Sequence, residues 1–170
     1  MGLPEGVRFY QFALDTRTSR PTIAATLDSA LRRGAGELQR REIGGVPQGL
    51  LAWEYVVQEM QACSSEDDAA RRSRMASWAR GALRVHIASA EATAEFLARS
   101  AGQLPSSGAI ADAAESFVEF ATQAKILRED VIAAGSGSGE HWQEAAERSQ
   151  KVYEALKRAQ ARLVAAGERR

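Results

Sequence analysis

Apolar residues recur at spacings of three and four along most of the chain, while alternation of period two is nearly absent. Such spacing places apolar side chains on one face of an α-helix. The first face begins after Pro21. Proline is favoured at the first helical position because an N–H there would have no intrahelical acceptor, so the absence of an N–H in proline costs nothing. The first face consists of Ile23, Leu27, Leu31, Gly34 and Leu38. We predict a first long helix that ends at Gly44-Gly45, before Pro47.

Two further helices are predicted between residues 50 and 103. The second helix carries on one face Leu50, Trp53, Val57 and Met60. The third begins at SSEDD, residues 64–68, where Ser64 or Ser65 is expected to cap it and the acids suit the helix dipole. Because no stop stronger than Gly81 follows before Gln103, we expect this helix either to run unbroken or to break at Gly81.

The apolar residues of the third helix do not keep to one stripe. Two diverging sets are present, Trp78, Val85 and Phe96 on one side and Leu83, Ile87 and Leu97 on the other. A helix that is apolar on more than one side is commonly surrounded by neighbours. We therefore predict that the third helix is the long central helix of the fold.

The last two helices are separated by the Gly/Ser sequence GSGSG at residues 135–139. The fourth helix ends at Ala134, before Gly135, which favours helix termination. The fifth, an amphipathic helix over 140–170, carries a seam of coiled-coil spacing whose large residues are Trp142, Val152, Leu156 and Leu163. We predict that GSGSG is a hairpin loop, with flexibility that lets the last helix exchange onto another copy.

Together these patterns predict an all-α protein: an elongated antiparallel bundle of four to five helices with one long central helix. Residues 1–170 form a single domain in this prediction, with 21–134 holding the main helices and 1–20 a short helix or arm. The expected core residues are Trp53, Trp78, Phe96, Phe117, Phe120, Trp142, Leu156 and Leu163.

Composition excludes several functional classes. Acidic and basic residues balance at 22 each, so total charge does not indicate nucleic acid or an anionic membrane. The only cysteine, Cys63, excludes an intrachain disulfide and a cysteine-based zinc cluster, and we expect it to be a small buried hydrophobe. There is no signal-peptide layout and no apolar run of membrane-spanning length. The excess of arginine over lysine and the abundant alanine suggest a GC-rich bacterial genome, so we expect a cytoplasmic protein.

Catalytic and metal motifs are absent from the sequence. GSGSG has Gly137 where a nucleophile elbow requires serine, and no Walker-type phosphate loop occurs. Neither His86 nor His141 belongs to the Glu-x-x-His motif of di-iron bundles. We expect His86 to be a hydrogen-bonded structural residue. We predict no catalytic residue, cofactor or metal, and therefore a protein that is not an enzyme.

Residues 22–42 are the one candidate for nucleic-acid contact. They resemble a helix-turn-helix segment in the placement of Ile23, Ala24 and Leu27, but Asp28 replaces the turn glycine. The candidate anion contacts are Arg32, Arg33, Arg40 and Arg41. Since acids lie close to these arginines, a solvated helix face is the favoured interpretation.

The leading functional hypothesis is an interaction or assembly module that acts by pairing helix faces, with a second copy or a helical partner. Alanine-rich faces bury little area, so a thin bundle gains from a second copy that covers them. The candidate interaction residues are Phe9, Tyr10, Phe12, Trp142, Val152, Leu156 and Leu163. Two alternatives remain: a transcription or nucleic-acid-associated regulator that uses the arginine-rich first helix, and a helical protein that binds a small molecule or an apolar surface.

Overall fold

The computed structural model describes residues 22–39, 42–65, 68–104, 107–135 and 139–168. The predicted arm at 1–20, with Phe9, Tyr10 and Phe12, lies outside the described residues, as do Arg40 and Arg41.

The described residues form an all-α bundle, which confirms the predicted fold class. Its helices are α1 Ile23–Gln39, α2 Gly49–Ser65, α3 Ala69–Arg80, α4 Ala82–Ala101, α5 Ser107–Ala134 and α6 Gly139–Glu168. A short hairpin, β1 Glu42–Ile43 and β2 Val46–Pro47, joins α1 to α2. Six helices are present in these ranges because the predicted third helix is divided.

The division lies at Gly81, so the structure has the broken form of the third helix. The Gly81 N–H donates to the carbonyl oxygens of Ser77 and Trp78 at 3.1 and 3.2 Å and thereby closes α3. The Gly81 carbonyl oxygen accepts from the N–H of Arg84 at 3.2 Å and opens α4. The longest helices are instead α5 and α6, and α5 is the central one because it packs against α3, α4 and α6.

The N-cap of α3 is also different from the prediction. Asp68 accepts a hydrogen bond from the Arg71 N–H at 2.9 Å, and this bond is the main reason that the pKa of Asp68 is lowered. Ser64 and Ser65 belong to the end of α2, where both hydroxyls donate to the carbonyl oxygen of Gln61. The prediction that Ser64 or Ser65 caps α3 was wrong, because the carboxylate of Asp68 is nearest the first turn of α3 and competes better for the free N–H groups of that turn.

Helices α5 and α6 are antiparallel, as their polar contacts show. Arg148 lies 3.4 Å from Asp130, and Arg158, further along α6, lies 2.6 Å from Glu119, earlier in α5. Each partly exposed ion pair of this kind contributes little stability. The two pairs nevertheless show which residues of α5 lie opposite which residues of α6. The two helices therefore pack in opposite directions, with α6 beginning at Gly139, while residues 136–138 of the predicted hairpin loop lie outside the described residues.

The seam of α6 is buried within the chain. Trp142 and Val152 are fully buried, and Leu156 and Leu163 nearly so, among residues of the same core cluster. Complete burial of such a side chain contributes about 1.5–3 kcal/mol, well above an exposed ion pair. Of the predicted core, the residues confirmed as buried are Trp53, Phe117, Phe120, Trp142, Leu156 and Leu163. Trp78 is half-buried and packs against the core.

Phe96 was wrongly predicted to be in the core, since it is 41% exposed. In α4, only the stripe that contains Leu83, Ile87 and Leu97 is buried, whereas Val85 lies with Phe96 on the opposite side. The second apolar side is uncovered because the main partners of α4 are α5 and α3, which do not surround it.

The hairpin between α1 and α2 was not predicted. Gly44 and Gly45 have positive φ angles of 59° and 79°, and Ile43 pairs with Val46 across them. Two consecutive residues with positive φ match a type I′ turn, for which glycine pairs are favoured. The glycine pair was interpreted only as a helix stop, although it is also a hairpin signal.

Gly135 follows α5 at a point of close helix approach. Its N–H donates to the Val131 carbonyl oxygen at 3.0 Å, and a Cβ at this position would lie 2.9 Å from the Cβ of Ala76 in α3. Gly135 does not have a positive φ. Its importance therefore lies in the approach of α3, not in a left-handed helix end.

We expect Gly135→Ala to lower the free energy of unfolding by about 1–3 kcal/mol, since the new methyl group overpacks this contact. In an Ala76→Gly background the same substitution should cost less, because the opposing methyl is gone; Ala76→Gly by itself should cost about 0.5–1 kcal/mol. Urea denaturation of the four proteins measures the coupling. Additive effects would contradict the contact.

Candidate functional site

An open groove lies between α2 and α4. Helix α2 packs on α6 and α4 packs on α5, while α2 and α4 have no extensive contact with each other. The space between them measures about 710 Å³, which is within the usual range for small-molecule sites. Its apolar walls include Trp53, Trp78, Phe117, Phe120, Leu156 and Leu163. We call this space the aromatic groove.

Trp53 is the centre of the aromatic groove. Its ring centroid lies 6.0 Å from that of Trp78, 5.5 Å from Phe120 and 6.2 Å from His86. The interplanar angles are 77°, 85° and 65°, so each contact is edge-to-face, an arrangement that the quadrupoles of aromatic rings favour. Rings from α2, α3, α4 and α5 therefore meet at one tryptophan and fix its orientation.

Local sequence explains how these rings are presented. Trp53 shares the buried face of α2 with Val57 and Met60, so it points toward the interior of the bundle. Trp78 lies in the last turn of α3 and His86 in the second turn of α4, on either side of the break at Gly81. The break thus places two rings of neighbouring helices against the same tryptophan.

Helix α4 provides most of the polar side chains of the aromatic groove, and Gln48, just before α2, provides another. His86, Ser89 and Thr93 follow at spacings of three and four and all line the space. Among the described lining residues none carries an aspartate, glutamate, lysine or arginine side chain. The groove therefore presents uncharged hydrogen-bonding groups beside aromatic walls.

His86 differs from its prediction as a hydrogen-bonded structural residue. It makes no hydrogen bond to any residue that the structure describes, and as a whole residue it is exposed. Burial of its ring against neighbouring atoms nevertheless lowers the pKa of His86. The imidazole is neutral at pH 7 and offers one donor and one acceptor nitrogen. The hydrophobic periodicity did not predict the position of His86 at the groove, because this residue lies beside the buried stripe of α4 and not within it.

The aromatic groove does not contain a nucleophile arrangement. Within the described part of the chain no hydrogen bond links His86 to Ser89, and no carboxylate in the groove lining can orient the imidazole. Cys63 is fully buried, and burial is the main cause that raises the pKa of its thiol. A buried thiol of raised pKa is a poor nucleophile, in agreement with its predicted packing role.

The predicted interaction residues of α6 are in the interior of the chain. Leu156 and Leu163 line the aromatic groove, Val152 is in the core, and Trp142 lies at a different cavity, near the start of α6. Because the chain itself covers them, they do not form a surface for a partner in this folded state.

Two of the predicted anion contacts, Arg32 and Arg33, lie in the described part of the chain. Arg32 and Arg33 are exposed on α1, and the Arg32 Nε donates to the Asp28 carboxylate at 3.0 Å. A neighbouring acid on the same helix is typical of a solvated face.

Metal and membrane sites are also not indicated. In residues 22–39, 42–65, 68–104, 107–135 and 139–168, no three potential ligands among His, Cys, Asp and Glu are grouped as a metal ion requires. The helices of these ranges lack the combination of length and apolar character needed to cross a bilayer.

Comparisons of the chain with protein-family models, with curated proteins and with solved structures gave no match.

The lowered pKa of His86 predicts a pH effect on stability. The unfolded chain, with an ordinary histidine pKa of 6.5, binds the proton more tightly than the folded chain. The free energy of unfolding should therefore fall as pH decreases below about 6.5 and level off below the folded-state pKa. We expect the wild type to lose more stability than His86→Gln between about pH 7.5 and about pH 5 in urea denaturation. An equal loss in both proteins would show that His86 is not desolvated.

Proposed function

We propose that the chain binds a neutral, largely apolar small molecule in the aromatic groove. The observation that carries this proposal is the cluster of three rings around Trp53 at the side of an open space of about 710 Å³. Concave sites with aromatic walls and a few convergent polar groups are the usual form of a small-molecule site. The lowered pKa of His86 also supports the proposal, because shifted pKa values are common at functional sites.

The lining favours an uncharged ligand. A charged molecule would lose hydration on entering and would find no opposite charge among the described lining residues. An apolar molecule with one hydroxyl, carbonyl or amide group would bury its hydrocarbon against Trp53 and Phe117. Its polar group would then bond to the neutral imidazole of His86, which has no partner in the described residues.

The site is suited to binding without rearrangement of its walls. Trp53, Phe117 and Phe120 are each nearly fully buried and belong to the core cluster, so their positions are fixed by packing before a ligand arrives. A preformed wall avoids the cost of ordering side chains upon binding. This supports binding, rather than catalysis, as the function, since the groove lacks a nucleophile arrangement.

Filling the aromatic groove tests the proposal directly. Ser89→Phe adds a ring inside the groove from an exposed position of α4, whereas Ala92→Phe adds the same ring on the same helix outside the groove lining. With Nile red, a neutral dye that fluoresces in apolar surroundings, we expect saturable binding to the wild type. Ser89→Phe should weaken binding roughly tenfold or more, equivalent to about 1.4 kcal/mol, and Ala92→Phe by less than about twofold.

Circular dichroism and urea denaturation of both variants verify that each is folded. Equal dye binding by the wild type and Ser89→Phe would locate the dye elsewhere and contradict the proposal. Absence of saturable binding by the folded wild type would do the same.

Assembly is a second candidate function, and a different surface supports it. Val85 and Phe96 are exposed hydrophobic residues on the outward side of α4, with exposed Ala92 between them. Apolar side chains aligned on an outward face are typical of association surfaces. This face replaces the seam of α6 as the candidate for pairing with a second copy. The regulator alternative remains a prediction that rests on the exposed Arg32 and Arg33.

We expect sedimentation velocity to show a mass that rises with concentration if α4 pairs with a second copy. The double substitution Val85→Lys, Phe96→Lys should then give a monomer, because two charges cannot be buried in an apolar interface without partners. Arg33→Glu on α1 is the control for a general charge effect. A wild type that stays monomeric at tens of micromolar would contradict assembly, while the dye experiment would be unaffected.

A further inference from the structure

A second cavity lies where α3 approaches Gly135 and the start of α6. It measures about 450 Å³ and is separate from the aromatic groove, with no lining residue in common. Helix α3 provides Arg72, Ser73 and Arg80, and the other helices provide Gly135 and Trp142. The described lining contains two guanidinium groups and no carboxylate, which distinguishes this corner from the mixed charges elsewhere on the surface.

Both arginines of the cavity belong to α3. Arg72 and Arg80 lie two turns apart on α3, about 12 Å along its axis, and both long side chains line the cavity. The small side chains of Ser73 and Ala76 lie between them and leave the space open. The Arg72 Nε donates to the carbonyl oxygen of Cys63 at 3.0 Å, which anchors that guanidinium at the edge of the cavity.

Trp142 provides a probe of this cavity. The residue is fully buried and lines the cavity, but its Nε1–H has no hydrogen-bond acceptor among the residues that the structure describes. An unsatisfied buried donor costs roughly 1–3 kcal/mol, and such groups are rare in folded proteins without a reason. The indole Nε1 is itself buried, so this N–H reports on a ligand in the cavity through the ring that lines it and not through direct contact.

We propose that this corner binds a phosphate group. Its oxygens supply several acceptors around one centre, so that it can bond to Arg72, Arg80 and Ser73, which all line the cavity. Arginine suits this ligand because its guanidinium forms paired, charge-assisted hydrogen bonds with phosphate oxygens. The chemistry is shared by free phosphate and by the phosphate ester of a small metabolite.

The indole N–H of Trp142 provides a direct measurement. The chain has three tryptophans, so a ¹H–¹⁵N correlation spectrum contains three indole cross-peaks, and Trp142→Phe identifies the one that belongs to this cavity. We expect inorganic phosphate or glycerol phosphate to shift the Trp142 cross-peak saturably, while those of Trp53 and Trp78 stay in place. The tighter of the two ligands identifies whether free phosphate or an ester is the preferred source.

A matched pair of substitutions locates the binding site. Arg80→Gln removes an exposed cation of the cavity and should weaken binding roughly fivefold or more. Arg84→Gln removes an exposed cation just after the break, outside the cavity lining, and should leave binding unchanged. The titrations are made at constant ionic strength against sodium chloride and sodium acetate.

Three results would overturn the proposal. The first is the absence of a saturable shift of the Trp142 cross-peak with either phosphate compound. The second is an equal shift with acetate or chloride, which would indicate a general effect of salt. The third is equal binding by Arg80→Gln and Arg84→Gln, which would show that the cavity arginines do not hold the ligand.

Discussion

Burial of the α6 seam against the rest of the chain is the interaction on which the other parts of the structure depend. Trp142, Val152, Leu156 and Leu163 lie in the core, and each contributes far more than the exposed ion pairs along α5 and α6. Helices α1 and α2 pack mainly on α6, whereas α3 and α4 pack on α5. Every other helix is therefore supported by one member of the α5–α6 pair.

This arrangement also creates the two candidate sites. Because α2 and α4 rest on different members of the central pair, they remain apart, and the aromatic groove is the space between them. The cavity for which we propose phosphate binding lies at the end of the same pair, where α3 approaches Gly135 and the start of α6. The sites differ in chemistry, since one is uncharged and aromatic and the other has two arginines. They therefore bind different ligands in these proposals.

Much of the helical architecture, but little of either site, was predictable from the sequence. The seam of α6 and the buried face around Trp53 follow from spacings of three and four, which are visible within a few turns. The same reasoning failed for Phe96, because spacing shows that a helix side is apolar but not whether a neighbour covers it. Periodicity also did not predict the contact between Trp53 and His86. These two residues are distant in sequence, and their helices, α2 and α4, hardly touch each other.

By itself the sequence determined which segments are helical and which single face of α6 must be buried, since local hydrogen bonding and the hydrophobic effect act along short stretches of chain. Only the tertiary structure decided that the α6 seam is covered by its own chain, that one of the two apolar sides of α4 stays in water, and that Trp142 keeps a buried N–H without a described acceptor. The physical reason is that covering a surface or pairing a donor requires groups from helices far apart in sequence. Their approach depends on the packing of all six described helices together.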